Sequence, residues 1–182
     1  MRKLYNKQSG VILVTALLFL LVLTVLGISA ITNTALEEKM AGNLADRNMA
    51  FQAAESGLRD GAEWLGSVAA YITPSSDGSN GIWAEGTIGS TPGDASVATL
   101  AWWAANGVEY GNQTNNAPAD FSANSQAPRY IIEESGFVPD DTNPETLAKR
   151  LGTYYYSISA IGWGGSATAE SVLQSIYEKR FN

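Results

Sequence analysis

The hydrophobic and polar positions divide the first part of the chain into distinct stretches. A polar, basic decapeptide at residues 1–10 is followed directly by 21 residues, Val11 to Ile31, that are almost entirely apolar. Three polar side chains interrupt this run: Thr15, Thr24 and Ser29. Folded as a helix, an apolar run of this length can cross a bilayer core of about 30 Å. The pattern therefore predicts a membrane-spanning helix over residues 11–31.

The next stretch has the pattern of an amphipathic helix. Apolar and small residues recur in steps of three, four or seven, as on one helical face: Leu36, Met40, Leu44, Phe51, Leu58, Ala62, Leu65 and Ala69. This stripe predicts helix over residues 32–70, ended by Pro74. A capping-box pattern at Thr34 to Glu37 leaves open a local break between Gly27 and Thr34. We expect the stripe to pack both on the rest of the chain and on neighbouring helices.

Residues 71–182 predict a loop-rich α+β head. Residues 74–128 are dense in Gly, Ser, Asn, Asp and Pro, and within them Ala95 to Gly111 has the pattern of a short helix or a strand. Three segments rich in β-branched and aromatic residues predict strands: Tyr130 to Glu134, Tyr154 to Ile161 and Ser171 to Tyr177. The sequence GWGGSAT between the last two predicts a hairpin loop. We therefore expect an antiparallel meander packed on the second half of the helix.

Composition argues against catalysis and against nucleic-acid binding. The 182 residues include no cysteine and no histidine, which removes the disulfide framework, the thiolate metal site and the commonest general base. We therefore expect a protein that is not an enzyme. Without the first ten residues, eight Lys and Arg face 18 Asp and Glu, a balance of about −10. Such an acidic body predicts that nucleic acid is not a partner.

The charges around the apolar run indicate its orientation. Arg2, Lys3 and Lys7 precede the run, and no charged residue follows it until Glu37. This asymmetry places the N-terminus in the cytoplasm and the body outside. A secretory cleavage site belongs after the apolar stretch, where Ile28 disfavours a cut after Ala30. The small residues at the compositional border, Ser9 and Gly10, instead precede the run.

Candidate ligand sites in the head are few. Asp140, Asp141 and Glu145 cluster in the sequence DDTNPE, and Asp77 to Gly81 has turn-forming oxygen donors, so either segment is a calcium candidate. Neither fits the EF-hand loop, and an ordinary solvated turn is the alternative in both. We expect no other cofactor. Three aromatic residues form either a partner surface or part of the core: Trp102, Trp103 and Tyr110.

Two segments resemble a known family. A short basic leader ending in glycine, with an apolar segment and an amphipathic continuation, resembles a type IV pilin precursor over residues 8 to about 66. The sequence ALEEKMAGNLADRNMAFQAAESGLR, Ala35 to Arg59, is similar to the N-terminal signature of the PilX-type minor pilins. The segment from Tyr154 to Phe181 resembles the end of that family. The resemblance implies the type IV pilin fold, in which a long helix packs on a small antiparallel sheet.

The resemblance also implies how the chain matures. A prepilin peptidase would cut between Gly10 and Val11 and methylate the new amine, so that residues 1–10 are a removed leader and the apolar run stays as the assembly surface. The alternative is a plain signal-anchored protein with an incidental glycine. Major pilins carry a glutamate at the fifth mature position, where this chain has Thr15. That departure is shared by tip-located pilins and pseudopilins, although Thr15 could also be a merely tolerated substitution.

The family implies a role, partners and a location. The role is that of a minor pilin that primes or caps the filament at its tip, which supports adhesion and twitching motility. Its partners would be other minor pilins, the major pilin and a large tip adhesin. The head would lie in the periplasm of a Gram-negative bacterium, anchored in the inner membrane, and later on the extracellular pilus. The alternative is a tip-located pseudopilin of a type II secretion system, which usually carries a large helical insertion in its head.

Overall fold

The long helix is continuous through residues 27–34, where the sequence left a local break possible. In the computed structural model, which describes residues 11–88 and 98–181, helix α1 runs from Val11 to Ser67. The hydroxyl of Thr34 bonds back to the carbonyl of Ala30 within the helix, so it does not cap a new helix start. The helix ends three residues before the predicted Ala70. The chain divides into two compact units between residues 43 and 44.

The described part of the head contains a four-stranded antiparallel sheet. Its strands are β1 (Val108–Glu109), β2 (Arg129–Pro139), β3 (Gly152–Trp163) and β4 (Glu170–Arg180), in that spatial order. The three predicted strands and the antiparallel meander are therefore confirmed, and each strand is longer than predicted. The hairpin is also confirmed, although its first two residues, Gly162 and Trp163, belong to β3.

Three short helices lie outside the strands in the described part of the head. The segment predicted as a helix or a strand contains both, helix α2 (Leu100–Asn106) and then β1. Thr99 caps α2, since its hydroxyl accepts a hydrogen bond from the backbone N–H of Trp102 at 3.2 Å. Helix α3 (Pro144–Ala148) lies between β2 and β3, and a 3-10 helix covers Pro118–Phe121.

The inner face of the sheet packs against the C-terminal half of α1 through small residues. The buried helix residues are mostly Ala and Gly: Ala50, Ala53, Ala54, Gly57, Asp60, Gly61 and Leu65. A Cβ atom on Gly61 would lie 2.8 Å from a ring carbon of Tyr130. A Cβ atom on Gly162 of β3 would lie 2.2 Å from the backbone nitrogen of Ala54. At Gly162 the backbones of α1 and β3 thus approach so closely that no side chain fits between them.

The predicted apolar stripe is only partly on this buried face. Leu65 is buried and Leu58 is partly buried against the core, as predicted. Phe51 is 48% exposed and Leu44 is 62% exposed, so these two residues are not buried on the sheet, and the packing of the stripe on neighbouring helices stays a prediction. The reason is steric, because at most positions where α1 meets the sheet the close approach admits only Ala or Gly, with Asp60 and Leu65 as the larger residues.

Part of the outer face of the sheet is covered by described residues of the region 71–128, which has no recognisable sequence motif. Trp83 lies beside the edge of β2, where its backbone N–H donates to the carbonyl of Ile132 at 2.8 Å and its carbonyl accepts from Glu134 at 2.9 Å, and its side chain packs on the outer face. A second core cluster forms between this layer and the sheet: Trp83, Trp103, Ile131, Ile161 and Trp163. The head is therefore layered, with α1 on one face of the sheet and this covering segment on the other.

The contact between α1 and β3 gives a testable prediction on the stability of the head. Gly162→Ala should lower the free energy of unfolding by about 1–3 kcal/mol, because the added methyl group meets helix backbone and cannot be relieved by a rotamer change. Gly136→Ala is the matched control, since a Cβ atom there has open space within 4 Å. Thermal unfolding of the detergent-solubilised full chain measures both. Equal stability of the two variants would show that α1 and β3 are not in close contact.

Candidate functional site

The N-terminal part of α1 exposes a continuous apolar surface. Every large hydrophobic side chain from Val11 to Ile31 is between 51% and 71% exposed. The most apolar 18-residue window of the helix has a mean hydropathy of 3.1 and no buried residue, and the helix is long and apolar enough to cross a membrane. A surface of this composition needs lipid or other apolar side chains around it. It is the leading candidate for a functional surface on this chain.

The predicted cleavage and assembly residues lie at the start of this surface. Gly10 is outside the described residues, and Val11 begins α1 with a side chain that is 71% exposed. The hydroxyl of Thr15 lies 3.1 Å from the carbonyl oxygen of Val11 and 2.9 Å from that of Ile12, and it donates within the helix. The proton of the hydroxyl is therefore used locally, and Thr15 offers no negative charge to another chain.

Phe51 lies in a groove beside the buried face of α1. The groove has a volume of about 480 Å³ and is lined by Arg47, Asn48 and Phe51 from the helix and by residues 168–171 from the turn and the start of β4. The phenyl ring therefore contributes to the surface of the head rather than to its core. This position suits a contact with a second protein better than a contact with the sheet.

A carboxylate near the start of the packed half of α1 binds the hairpin loop. Ser166 donates its backbone N–H to Oδ1 of Asp46 at 3.2 Å and its hydroxyl to Oδ2. The hydrogen bond from the Ser166 hydroxyl is the main reason that the pKa of the Asp46 carboxyl is lowered from its usual value. Sequence reasoning missed this contact, because an aspartate on a helix usually indicates a solvated face.

A second carboxylate of α1 holds the loop that follows β1. Asp60 is buried and accepts hydrogen bonds from the backbone N–H of Gly111 at 2.9 Å, the amide of Asn116 at 2.7 Å and the hydroxyl of Thr114. The same Asn116 amide lies 3.1 Å from Glu63. A buried carboxylate needs such donors, since an unsatisfied one is costly. In the sequence, the two glycines on either side of Asp60, Gly57 and Gly61, are the feature that indicates its side of the helix is buried.

A lysine of β4 caps the end of α1. The ammonium of Lys179 donates to the backbone carbonyls of Gly66 at 3.0 Å, of Val68 at 2.6 Å and of Leu65. Burial lowers the pKa of this ammonium from its usual value. Carbonyls at the end of a helix lack intrahelical partners and carry partial negative charge, so a cation there stabilises the helix terminus. Sequence reasoning missed this contact as well.

The three carboxylates of the first calcium candidate lie between the end of β2 and the first turn of α3. Asp140 binds the guanidinium of Arg180, and Glu145 pairs with Lys149 at 2.7 Å. Asp141 accepts the backbone N–H of Asn143 at 2.8 Å in the turn before α3. These carboxylates are not brought together, and the described residues contain no group of three or more carboxylate, His or Cys side chains that could hold a metal ion.

The second calcium candidate, Asp77 to Gly81, contains a hydrogen-bonded turn. The backbone N–H of Ser79 donates to Asp77 at 3.1 Å. Hydrogen bonds from the backbone and hydroxyl of Ser79 lower the pKa of the Asp77 carboxyl to about 2. Gly78 has a φ of 67°, which a turn at this position requires. The Asp77 carboxylate is thus bound within its own turn.

The three aromatic candidates pack within the head. Trp103 is fully buried in the outer core cluster, which confirms the core interpretation for this residue. Trp102 is half-buried, with its ring 5.5 Å from that of Trp83. Tyr110 is also half-buried and meets Phe121 edge-on at 4.9 Å between ring centroids. These contacts leave the exposed part of α1, and not the aromatic residues, as the main candidate surface for assembly.

Comparison with known protein families agrees with this arrangement. The family model described as PilX N-terminal matches residues 9–59, which contain the apolar run and the first part of the packed helix. The model described as type IV pilus assembly protein PilX C-term matches residues 44–179, which contain the sheet and its covering layer. Searches of curated proteins and of solved structures found no match. Because the second model alone covers more than half of the chain, this protein belongs to the PilX family of type IV pilus assembly proteins.

Proposed function

We propose that this chain is a minor pilin that primes or caps a type IV pilus at its tip, together with other minor pilins and the major pilin. The observation that carries the proposal is the division of α1 into an exposed apolar part and a part packed on the head. Such a helix presents one surface for joining other helices and a second for holding a folded head. The proposed role is structural and requires no cofactor.

The maturation and location that we propose follow from the start of the chain. A prepilin peptidase removes residues 1–10 by cutting before Val11, and the new amine is methylated. The precursor is held in the inner membrane of a Gram-negative bacterium by residues 11–31, with the head in the periplasm. The basic residues before the apolar run support this orientation, because cations favour the cytoplasmic side. After assembly the head is extracellular, on the pilus.

The tip position rests on Thr15. A subunit within a filament surrounds the positively charged N-terminal amine of its neighbour with apolar side chains, where an unpaired charge is costly. A carboxylate at position 15 would neutralise such an amine, but the Thr15 hydroxyl is already bonded to carbonyls of its own helix. A subunit at the end of the filament has no neighbour above it and needs no such group. From this position the protein would support adhesion and twitching motility, in contact with a large tip adhesin.

The alternative function is a tip-located pseudopilin of a type II secretion system. Such proteins usually carry a large helical insertion in the head. Within the described head, α2 has seven residues and α3 has five. These short helices favour the pilus over the secretion system. A gene neighbourhood with other minor pilin genes and a tip adhesin gene would support the pilus, and one with secretion genes would support the pseudopilin.

The first prediction tests maturation. Mass spectrometry of the protein from its native host should find a mature chain that begins at N-methylated Val11. A Gly10→Val variant should keep residues 1–10, because a side chain at position 10 obstructs the peptidase. A mature chain that begins at Ala30 or Ile31, or an intact Met1 in the unaltered protein, would contradict the proposal.

The second prediction tests the groove around Phe51. Phe51→Asp should leave the head folded, since the ring is 48% exposed, and should strongly reduce the number of pili, since a charge enters an apolar contact between subunits. Leu147→Asp is the matched control, an exposed apolar residue of α3 that is 44% exposed. Counts of pili by electron microscopy and membrane levels by immunoblot measure the effect. Normal piliation in the Phe51 variant would show that the groove faces solvent in the filament.

The third prediction tests position in the filament. Immunogold labelling of sheared pili should mark their ends, and the protein should be a small fraction of the major pilin. Deletion should lower the number of pili more than their length, because priming is lost. Thr15→Glu should be tolerated and should let some copies enter the shaft, since it restores a carboxylate for a neighbouring amine. Labelling along the whole wild-type filament would rule out the tip position.

A further inference from the structure

Strand β4 forms a long free edge of the sheet. It pairs with β3 through all of its residues, from Glu170 opposite Trp163 to Arg180 opposite Thr153, without a register shift. Within residues 11–88 and 98–181, no strand pairs with its other side. Alternate backbone N–H and C=O groups along β4 therefore point away from the sheet without a strand partner. Such an edge can bind an extended segment of another chain.

The middle of the β4 edge, from Ser171 to Tyr177, lacks the features that usually protect an edge strand. Natural edges are commonly short, kinked by a bulge, or interrupted by proline or an outward lysine. The opposite edge of this sheet fits that description, because β1 has two residues. Strand β4 has 11 residues, contains no proline and has no charged residue between Ser171 and Ser175. The one lysine of β4, Lys179, is bonded to the end of α1.

The side chains on one face of β4 have a regular pattern of charge and apolarity. Because side chains alternate along a strand, Glu170, Val172, Gln174, Ile176 and Glu178 share the outer face. Ile176 is 69% exposed and Val172 is 39% exposed. The β3 residue opposite Ile176 is a buried serine, so β3 offers Ile176 no apolar partner. Two exposed apolar side chains are thus flanked by two acidic ones.

We propose that β4 is the docking edge for an extended segment of a different protein, which adds to the sheet as a further antiparallel or parallel strand. The segment would place apolar side chains opposite Val172 and Ile176 and basic side chains opposite Glu170 and Glu178. Backbone hydrogen bonds would supply most of the affinity, and the alternating side chains would supply specificity. This proposal does not depend on where the subunit lies in the filament.

Charge complementarity argues against a second copy of the same strand. The antiparallel register that brings Val172 opposite Ile176 also brings Glu170 opposite Glu178, and it does so twice. A parallel in-register pair places each glutamate opposite its own copy. Like charges that are directly opposite destabilise a strand pair. The occupant that satisfies both the apolar and the charged positions is therefore a segment with a different sequence.

The test uses the full chain in detergent micelles and a fluorescent peptide, Lys-Thr-Val-Thr-Ser-Thr-Val-Thr-Lys, whose pattern reads the same in both directions. Anisotropy should show saturable binding, and hydrogen exchange should slow at alternate amides of β4. Ile176→Lys should weaken binding about tenfold or more, because a charge replaces an apolar cross-strand contact. Val138→Lys is the matched control, with a side chain that is 54% exposed on β2, and should bind like the unaltered protein.

Two further peptides separate strand addition from simple hydrophobic contact. N-methylation of amides on both edges of the Lys peptide should abolish binding, because neither edge can then pair with β4 in a parallel or an antiparallel orientation, whereas a simple hydrophobic contact would survive. A peptide with Glu at both ends should bind more weakly than the Lys peptide. Val172→Lys replaces the Ile176 variant if the latter fails to fold by circular dichroism.

Several results would overturn the proposal. One is the absence of saturable binding by the Lys peptide, and another is binding by the N-methylated peptide as tight as that of the Lys peptide. Equal affinity for the Glu and Lys peptides would show that Glu170 and Glu178 do not select basic side chains. A dimer of the unaltered protein that sedimentation detects, and that Ile176→Lys dissociates, would show that a second copy occupies the edge.

Discussion

The close approach of the α1 backbone to strand β3 is the constraint on which the rest of the head depends. Because an atom added at Gly162 would meet the helix backbone, the facing helix positions hold Ala and Gly. Most large apolar residues in the packed part of α1 lie beside this face, as Phe51 does, and Leu65 near the end of the helix is the one buried on it. One steric requirement thus produces both a tightly packed head and an apolar surface left over for other proteins.

The polar contacts of α1 follow from the same approach. A helix that lies this close to a sheet brings its own polar side chains against the loops at the sheet margins, where they need partners. Asp46 meets the turn between β3 and β4, and Asp60 meets the loop after β1. Lys179 meets the last carbonyls of α1. The packed part of the helix is therefore fixed to the head at its start, its middle and its end.

The sequence predicts those parts of the fold in which apolar residues form an unbroken run, recur at helical spacing, or cluster as β-branched and aromatic residues. The apolar run, the long helix and the strands around Tyr130, Tyr154 and Ser171 are of this kind, and the structure contains all of them. The Ala and Gly positions of the buried helix face at residues 50–61 were not predicted, because Ala and Gly give a weak hydrophobic signal beside Leu and Phe. The covering layer and the partners of Asp60 depend on contacts between residues far apart in the chain, which local patterns do not encode.

The three attachments of α1 have a mechanical consequence. A force that pulls along the helix axis acts in shear on the contact between α1 and the sheet, because the attachments at Asp46, Asp60 and Lys179 are spread along the helix. They and the intervening side-chain contacts bear the load together, whereas a force at right angles to the sheet would break them one after another. The head is thus built to resist tension applied through its own helix.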